Sequence, residues 1–233
     1  MGSMGMQFPI RPEMVLIDVD GTLVDSVPDL AFCVDAMMRE LGRAPHGEAA
    51  VRNWVGNGVE RLVRRALIGA LDGEPSEVDY ERAYPLFLDL YADNTSKRSL
   101  LYPGVREGLD LLRTRGYRLG CVTNKAAQFT EPLLAELGIR DAFEIVVSGD
   151  SLPEKKPSPM PLLHAAAFFG AEPSRALMVG DSVSDVKAAR AAGFAIICMS
   201  YGYNHGRDIR EAGPDAVIDT MTELDSLVAA SAN

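Results

Sequence analysis

The chain has 233 residues, of which 47% are hydrophobic and 24% are charged. This balance is ordinary for one or two globular domains and excludes the disordered and fibrous classes. The 33 acidic and 23 basic side chains give a net charge of −10, which repels a phosphate backbone, so we expect no nucleic-acid partner. No apolar run reaches the roughly 20 residues that span a bilayer, so we expect no membrane partner.

The N-terminal region lacks the charged stretch and the apolar run of a secretion signal. The three cysteines, Cys33, Cys121 and Cys198, have no CxxC spacing and lie in apolar surroundings, which is typical of buried free thiols. We therefore expect a cytoplasmic protein. The first residues, Met1–Gly5, resemble a remnant of an expression tag and carry no fold prediction.

Six short apolar runs alternate with amphipathic stretches from Met14 onward. This alternation is typical of a mostly parallel sheet flanked by helices, and continuous apolar character indicates strands covered on both faces. The runs lie near Val15–Val19, Arg118–Thr123, Glu144–Val147, Arg175–Val179, Ala195–Met199 and Ala216–Ile218. The sequence therefore predicts an α/β fold.

The stretch between the first two runs has helical periodicity. The segment Ser26–Asp29 has capping-box spacing with Pro28 in the first helical turn, and the apolar stripe that follows ends at Gly42. Two more amphipathic stripes come later. Roughly 70 residues are too many for an ordinary crossover between parallel strands. We expect an inserted helical domain over residues 27–98, with residues 1–26 and 99–233 forming the sheet domain.

Two carboxylates, Asp18 and Asp20, lie where the first run ends and precede Gly21. Ligands of parallel sheets bind outside the carboxyl ends of the strands, and residues i and i+2 of a strand project to the same side. The pair can share a metal and divide the roles of nucleophile and acid–base catalyst. The alternative is an acidic loop that merely starts the next helix.

Two later segments can bind or stabilise an anion. Thr123 and Asn124 end the second run and can donate to phosphate oxygens, or they can cap a helix. Lys155 and Lys156 lie in a proline-fixed turn, where a lysine can stabilise an anionic nucleophile or stand in solvent.

A fourth segment follows the run near Arg175–Val179. Asp181 can complete an oxygen ligand set for Mg²⁺, and Asp185, one helical turn later, can hold a bound water or a neighbouring ligand. Capping of the next helix by Ser182 or Asp181 is the alternative. The four segments supply paired carboxylates, phosphate donors, a lysine and a metal ligand in order, which coincidence explains poorly.

In this order the four segments resemble the signature motifs of the haloacid dehalogenase-like hydrolase superfamily, over nearly the whole chain from Met14 onward. The resemblance implies a Rossmann-like sheet with a helical cap inserted after the first motif. It also implies a Mg²⁺-dependent phosphomonoester hydrolase that forms an aspartyl-phosphate.

The resemblance assigns roles to individual residues. Asp18 would be the nucleophile, and Asp20 would protonate the leaving alcohol and then activate water. Lys156, which directly precedes the proline, would stabilise the nucleophile. Substrate would be bound by Thr22, Thr123 and Asn124. The metal would be bound by Asp18, Asp181 and the backbone carbonyl of Asp20. Asp185 would support the metal site without binding the metal directly.

Four segments also resemble bacterial phosphoglycolate phosphatases: Asp18–Ser26, Val55–Val63, Gly149–Pro157 and Tyr201–Asn204. This resemblance implies 2-phosphoglycolate as the small phosphorylated substrate, hydrolysed to glycolate and phosphate. The turn formed by Gly56, Asn57 and Gly58 can approach the substrate and offer it backbone N–H groups, or it can simply connect two helices.

Other functions stay open. A phosphatase of another small ester or a sugar-phosphate mutase would share the core chemistry, and a phospho-ligand-binding protein would keep the fold without turnover. Dehalogenation is disfavoured, because a halide leaves unprotonated and needs no second acid such as Asp20. Arg61, Arg64 and Arg65 are expected on a solvated helix face. We expect a monomer or a homodimer.

Overall fold

The computed structural model describes residues 11–229, so the expectation for Met1–Gly5 lies outside the described residues. Strands and helices alternate through most of this range. The strands are β1 (Met14–Ile17), β2 (Val24–Asp25), β3 (Leu100–Leu101), β4 (Arg118–Val122), β5 (Ile145–Val147), β6 (Ala176–Gly180), β7 (Ala195–Met199) and β8 (Ala216–Ile218). The helices are α1 (Val27–Glu40), α2 (Glu48–Trp54), α3 (Val59–Ile68), α4 (Glu77–Ala92), α5 (Val105–Thr114), α6 (Ala127–Glu136), α7 (Met160–Phe169), α8 (Val183–Ala192) and α9 (Glu223–Ala229).

Six strands form one sheet in the order β5-β4-β1-β6-β7-β8, and every neighbouring pair is parallel. All six predicted strands and the α/β fold are confirmed. The side chains of β1 are fully buried and face two apolar clusters alternately, which explains the continuous apolar run. Ile17 of β1 is in register with Cys121 of β4 and with Val179 of β6. The residues that follow these three strands therefore meet at one edge of the sheet.

Helices α1–α4 form a separate group between β2 and β3, here called the helical unit (residues 27–92). Their apolar side chains pack into a cluster of their own, which Phe129 and Tyr203 join from the rest of the chain. This group of helices lies within the stretch where the sequence predicts a helical insert, and the domain bounds 27–98 stay a prediction. Among residues 11–229, no helix combines the length and the apolar character that crossing a bilayer requires.

The start of the helical unit differs from the sequence prediction in its hydrogen bonds. Ser26 makes no side-chain cap to α1, and its buried Oγ has no partner in the described chain. Asp29 is used elsewhere: its carboxylate accepts hydrogen bonds from the backbone N–H groups of Arg98 and Ser99, and from the Ser99 hydroxyl at 2.7 Å. The Asp29 carboxylate therefore ties the chain entering the helical unit to the chain leaving it.

A short antiparallel ribbon of β2 and β3 lies beside this tie. Sequence reasoning did not find the ribbon, because two residues per strand are too few for a detectable alternation. The ribbon and Asp29 together hold both chain crossings between the sheet and the helical unit in one place.

All three cysteines are buried free thiols, as the sequence indicates. Burial raises the pKa of Cys33 to about 12 and also raises the pKa of Cys121 and Cys198. Since the thiolate is the reactive form, we expect the native protein to react slowly with a disulfide reagent at about pH 8. All three thiols should titrate after denaturation. Rapid labelling of a thiol in the native protein would contradict the burial.

Candidate active site

Three polar residues follow the three central strands of the sheet. Asp18 comes after β1, Thr123 after β4 and Asp181 after β6. Their exposed fractions are only 8%, 3% and 2%. Because the strands are parallel and in register, these side chains meet at the edge that the sequence analysis singled out.

A cavity opens at this edge, between the sheet and the helical unit. Asp18, Asp20 and Asp181 lie on the sheet side, and Val59 and Leu62 lie on the side of the helical unit. The cavity is narrow: the space open to the centres of water molecules is about 40 Å³. The cavity therefore favours a small ligand.

Lys156 connects two of the carboxylates. Its Nζ lies 3.0 Å from Oδ1 of Asp18 and 2.7 Å from Oδ1 of Asp185, and it donates to the carbonyl of Val122 at 2.8 Å. Burial by itself lowers the pKa of Lys156, but the two carboxylates outweigh burial and hold that pKa above its usual value. Lys156 is therefore a fixed positive charge beside Asp18 at neutral pH.

The carboxylates carry more negative charge than Lys156 balances. Burial raises the pKa of Asp18 to about 6 and raises the pKa of Asp181 well above its usual value, and Asp185 adds to both shifts. Oδ1 of Asp18 is buried and receives no hydrogen bond of good geometry, although Lys156 Nζ lies 3.0 Å away. Because one ammonium group balances only part of this buried negative charge, the arrangement favours the binding of a cation.

Oxygen atoms of Asp18, Asp181 and Asp185 all lie within 4.8 Å of one another, and carboxylate oxygens are the ligands that hard divalent cations prefer. Asp185 is already engaged, because its Oδ1 pairs with Lys156 and its Oδ2 accepts from the backbone N–H and the hydroxyl of Ser182. The partners of Asp181 are neutral donors only, so among these carboxylates its charge and that of Asp18 are better placed to attract a cation.

Asp181 is held by groups from two other segments. The Thr22 hydroxyl donates to its Oδ1 at 2.8 Å, and the backbone N–H of Tyr203 donates to its Oδ2 at 2.5 Å. Gly21 has a φ of 86°, and a Cβ there would lie 2.2 Å from Oδ2 of Asp181, so only glycine fits. Thr22, which was expected to bind substrate, is fully buried against Asp181 and does not line the cavity.

Thr123 and Asn124 both line the cavity beside Asp18. The amide of Asn124 donates to the carbonyl of Lys156 at 2.9 Å, which fixes the loop that carries the lysine. The Thr123 oxygen accepts from the backbone N–H of Lys125 at 3.2 Å, so its hydroxyl hydrogen stays available as a donor.

The turn between α2 and α3 brings two of its three predicted residues to the cavity. Gly56 and Gly58 line it, whereas the Asn57 oxygen accepts a hydrogen bond from Nη2 of Arg65 at 2.9 Å. Arg65 also donates to the carbonyls of Trp54, at 2.5 Å, and Leu71, at 3.1 Å. The end of α2, the turn itself and the segment after α3 each supply one acceptor, and together they fix the guanidinium and the turn.

The expectation of a solvated arginine face is therefore wrong for Arg65, which is 7% exposed. Arg61 and Arg64 do lie at the surface, where both pair with Glu74. Sequence spacing could not show that Arg65 is buried while Arg61 and Arg64 are at the surface. The difference arises from acceptors that neighbouring segments bring to Arg65 in the folded chain.

We expect Arg65→Met to lower the free energy of unfolding by about 2–3 kcal/mol, because the buried Trp54 carbonyl and two partly buried acceptors lose their donor. Arg64→Met is the matched control on the same helix and should have a much smaller effect, since its ion pairs are exposed. Chemical denaturation of both variants measures the difference. Equal losses would contradict the bracing role of Arg65.

Sequence reasoning missed two residues that contact the site. Lys125 adjoins Thr123 and Asn124 in the sequence but was assigned no role; its ammonium group lies 3.0 Å from the carboxylate of Asp20. Tyr203 lines the cavity and donates to Asp181. The position of Lys125 beside a recognised motif was an available signal, whereas nothing in the sequence relates Tyr203 to Asp181.

A parallel sheet whose central strand ends in a buried carboxylate beside a lysine, with a helical group facing that edge, is typical of an enzyme of the α/β class with a carboxylate-based site. A family model described as haloacid dehalogenase-like hydrolase matches residues 12–193. The chain belongs to this family, and the resemblance found in the sequence is confirmed. Hydrolases of this family generally use a divalent metal, and the cluster around Asp18 and Asp181 can hold one.

Close relatives share nearly the full length of the chain. A phosphoglycolate phosphatase of Nitrosococcus oceani is 67% identical over 222 residues, covering 95% of this chain and 99% of that protein. A phosphoglycolate phosphatase of Nitrosospira multiformis is 49% identical, with 96% and 98% covered. The crystal structure of a predicted phosphoglycolate phosphatase from Haemophilus somnus 129PT superposes with a TM-score of 0.88 at 35% identity, covering 94% of this chain and 99% of that one.

Proposed function

We propose that this enzyme hydrolyses 2-phosphoglycolate to glycolate and phosphate, with Mg²⁺ as its metal. The observation that carries the proposal is the buried carboxylate of Asp18, which lines a cavity at the edge of the sheet, lies 3.0 Å from the ammonium group of Lys156 and adjoins Asp181. The choice of 2-phosphoglycolate as substrate is based on the similarity of the chain to phosphoglycolate phosphatases, one of which is 67% identical to it.

The residues present fit a divalent cation. Asp18, Asp181 and the backbone carbonyl of Asp20 would hold it. When bound, Mg²⁺ supplies the positive charge that lets an anionic carboxylate approach a phosphate dianion. Asp185 supports the site by holding Lys156 and the first turn of α8.

The first half of the reaction transfers the phosphoryl group to the protein. An oxygen of Asp18 forms a bond to phosphorus while the ester bond from phosphorus to the glycolate oxygen breaks, which leaves an aspartyl-phosphate. Lys156 offsets the negative charge of the nucleophile and of the phosphoryl group. Thr123 and Asn124 hold the phosphoryl oxygens from the side of the cavity that they line.

Asp20 manages the proton in both halves of the reaction. It first gives its proton to the departing glycolate oxygen, and as a carboxylate it then takes a proton from a water molecule. That water attacks the phosphorus, phosphate leaves, and the carboxylate of Asp18 is restored. Asp20 faces the same cavity as Asp18, which such an exchange requires.

We propose further that the helical unit acts as a cap, with residues 27–98 as its domain and residues 1–26 and 99–233 as the sheet domain. Gly56 and Gly58 would contact the substrate from the cap, and Asn57 would keep their turn in place through Arg65. Thr22 would act on the substrate indirectly, through Asp181. The cytoplasmic location and the monomeric or dimeric state stay predictions from the sequence.

Phosphate release by the purified protein with Mg²⁺ tests the proposal. The panel contains 2-phosphoglycolate, glucose phosphates, nucleoside monophosphates and pyrophosphate. We expect kcat/KM for 2-phosphoglycolate to exceed the others at least tenfold, about 1.4 kcal/mol of preference. A different preferred ester would keep the mechanism and overturn the substrate. Interconversion of glucose phosphates would indicate a mutase, and binding without turnover a phospho-ligand-binding protein.

We expect removal of divalent metal with EDTA to abolish phosphate release, and Mg²⁺ to restore it. Mg²⁺ should also raise the melting temperature of the metal-free protein, because a cation that binds the native cluster stabilises the folded state. Differential scanning calorimetry with and without Mg²⁺ measures this independently of activity. The same shift in an Asp181→Asn variant would contradict the proposed ligand.

A further inference from the structure

The proposed function leaves one buried ammonium group near the cavity unexplained. The side chain of Lys125 is 1% exposed, and its Nζ donates to both oxygens of Asp20, at 3.0 and 3.1 Å. The same nitrogen donates to the hydroxyl of Tyr91 at 2.6 Å. An ammonium has three N–H donors, so these contacts engage all of them.

The three groups come from different parts of the fold. Asp20 follows β1, Lys125 follows β4, and Tyr91 lies near the end of α4 in the helical unit. The carbonyl of Lys125 accepts a hydrogen bond from the backbone N–H of Gly149 at 2.8 Å, which fixes its loop. Tyr91 is fully buried, with its ring 4.7 Å from that of Phe129. Lys125 therefore contacts Asp20 from a fixed point.

Within residues 11–229, Lys125 is the only hydrogen-bond partner of the Asp20 side chain. The carboxylate is otherwise free to rotate towards the cavity, since its side chain is 17% exposed. Asp20 must face the ester oxygen in one half-reaction and a water in the next. Small errors in such an alignment cost about 10²-fold in rate.

We propose that Lys125 is the positioning residue for Asp20, and that Tyr91 makes this position depend on the helical unit. The inference rests on the acid–base role proposed for Asp20. Loss of Lys125 should lower kcat and leave KM nearly unchanged, because phosphate binding uses Asp18, Thr123 and the metal. Loss of the Tyr91 hydroxyl should have a smaller effect of the same kind.

The leaving group separates positioning from a merely structural role. Glycolate needs a proton as it leaves, whereas p-nitrophenolate is a stable anion that needs none. Rapid-mixing release of p-nitrophenolate from p-nitrophenyl phosphate reports the first half-reaction alone. A defect that acts through Asp20 spares this burst, and a general loss of structure does not.

The test compares Lys125→Met, Lys125→Gln and Tyr91→Phe with the wild type in Mg²⁺. We expect Lys125→Met to lower kcat for 2-phosphoglycolate about 10²-fold, with KM and the nitrophenolate burst rate each within about threefold. Lys125→Gln keeps an N–H donor and should recover part of the loss. Tyr91→Phe should lower kcat about 3–10-fold, and it keeps the test valid if the lysine variants fail to fold.

Tyr80→Phe is the matched control on α4, where Tyr80 lies beside Arg64 and outside the proposed site. It should change kcat less than twofold. A nitrophenolate burst that falls as much as 2-phosphoglycolate turnover would overturn the positioning role, and so would a rise in KM at constant kcat. Equal effects of Tyr91→Phe and Tyr80→Phe would overturn the link to the helical unit. A wild type that hydrolyses no phosphate ester would overturn the proposed function and, with it, this inference.

Discussion

Asp18→Asn should lower kcat for phosphate release by about 10⁴-fold or more, because an amide does not replace the carboxylate as the nucleophile at phosphorus. The side chains are nearly isosteric, so the cavity should keep its shape. Burial raises the pKa of Asp18 to about 6, so at neutral pH the metal-free variant should be at least as stable as the wild type. Steady-state assays and urea denaturation in EDTA measure the two effects.

Asp110→Asn is the control for Asp18→Asn, since Asp110 is exposed on α5, away from the cavity. It should leave both activity and stability unchanged. Activity of Asp18→Asn within tenfold of the wild type would exclude an aspartyl-phosphate at this residue. A wild type that binds phosphate esters but never releases phosphate would favour a binding protein, in which Asp18→Asn should still bind.

Lys156→Met should affect both activity and folding. Asp18 and Asp185 would lose the cation between them, and removing one partner of a buried ion pair typically costs about 3–5 kcal/mol of stability. Activity should also fall about 10²–10³-fold, because the charge that opposes the nucleophile and the phosphoryl group is gone. Chemical denaturation and kcat measurements separate the two losses.

A double variant distinguishes catalysis from stability at Lys156. Lys156→Met with Asp185→Asn removes one of the stranded charges, so stability should partly return while activity stays low. Lys155→Met is the matched control, because Lys155 is the neighbouring lysine and makes no ion pair within 4.0 Å among residues 11–229. Recovery of activity in the double variant, or an equal loss of activity in Lys155→Met, would contradict the assignment to Lys156.

The sequence predicted those parts of the molecule that depend on local pattern. Strands β1, β6 and β7 are buried at every position and β4 at all but its first, so these core strands appear as continuous apolar runs. Asp18, Thr123 and Asp181 could be grouped in advance because each directly follows one of these strands, and parallel strands end at one edge. The helical insert was visible from its length and its helical periodicity.

Contacts between distant residues could not be predicted in the same way. The Thr22 hydroxyl donates to Asp181, which lies 159 positions away in the sequence. The Asn57 side chain turns towards Arg65, which is held at the same time by the carbonyl of Trp54. Tyr91 reaches Lys125 only because α4 packs against α6 through Phe129. The orientation of these side chains is set by tertiary packing, which cannot be predicted from the spacing and type of residues in the sequence.

The tie at Asp29 and the ribbon of β2 and β3 fasten the helical unit to the sheet at one place. With both crossings fastened at one carboxylate and one short ribbon, the Gly56–Gly58 turn stays close to the strand ends instead of sampling a large volume. The turn is therefore already close to the cavity before a ligand binds, as a tethered group is close to its binding site. In the cap role proposed above, the helical unit would lose little orientational freedom when a ligand binds, so a few contacts with a small ligand would suffice to hold it in place.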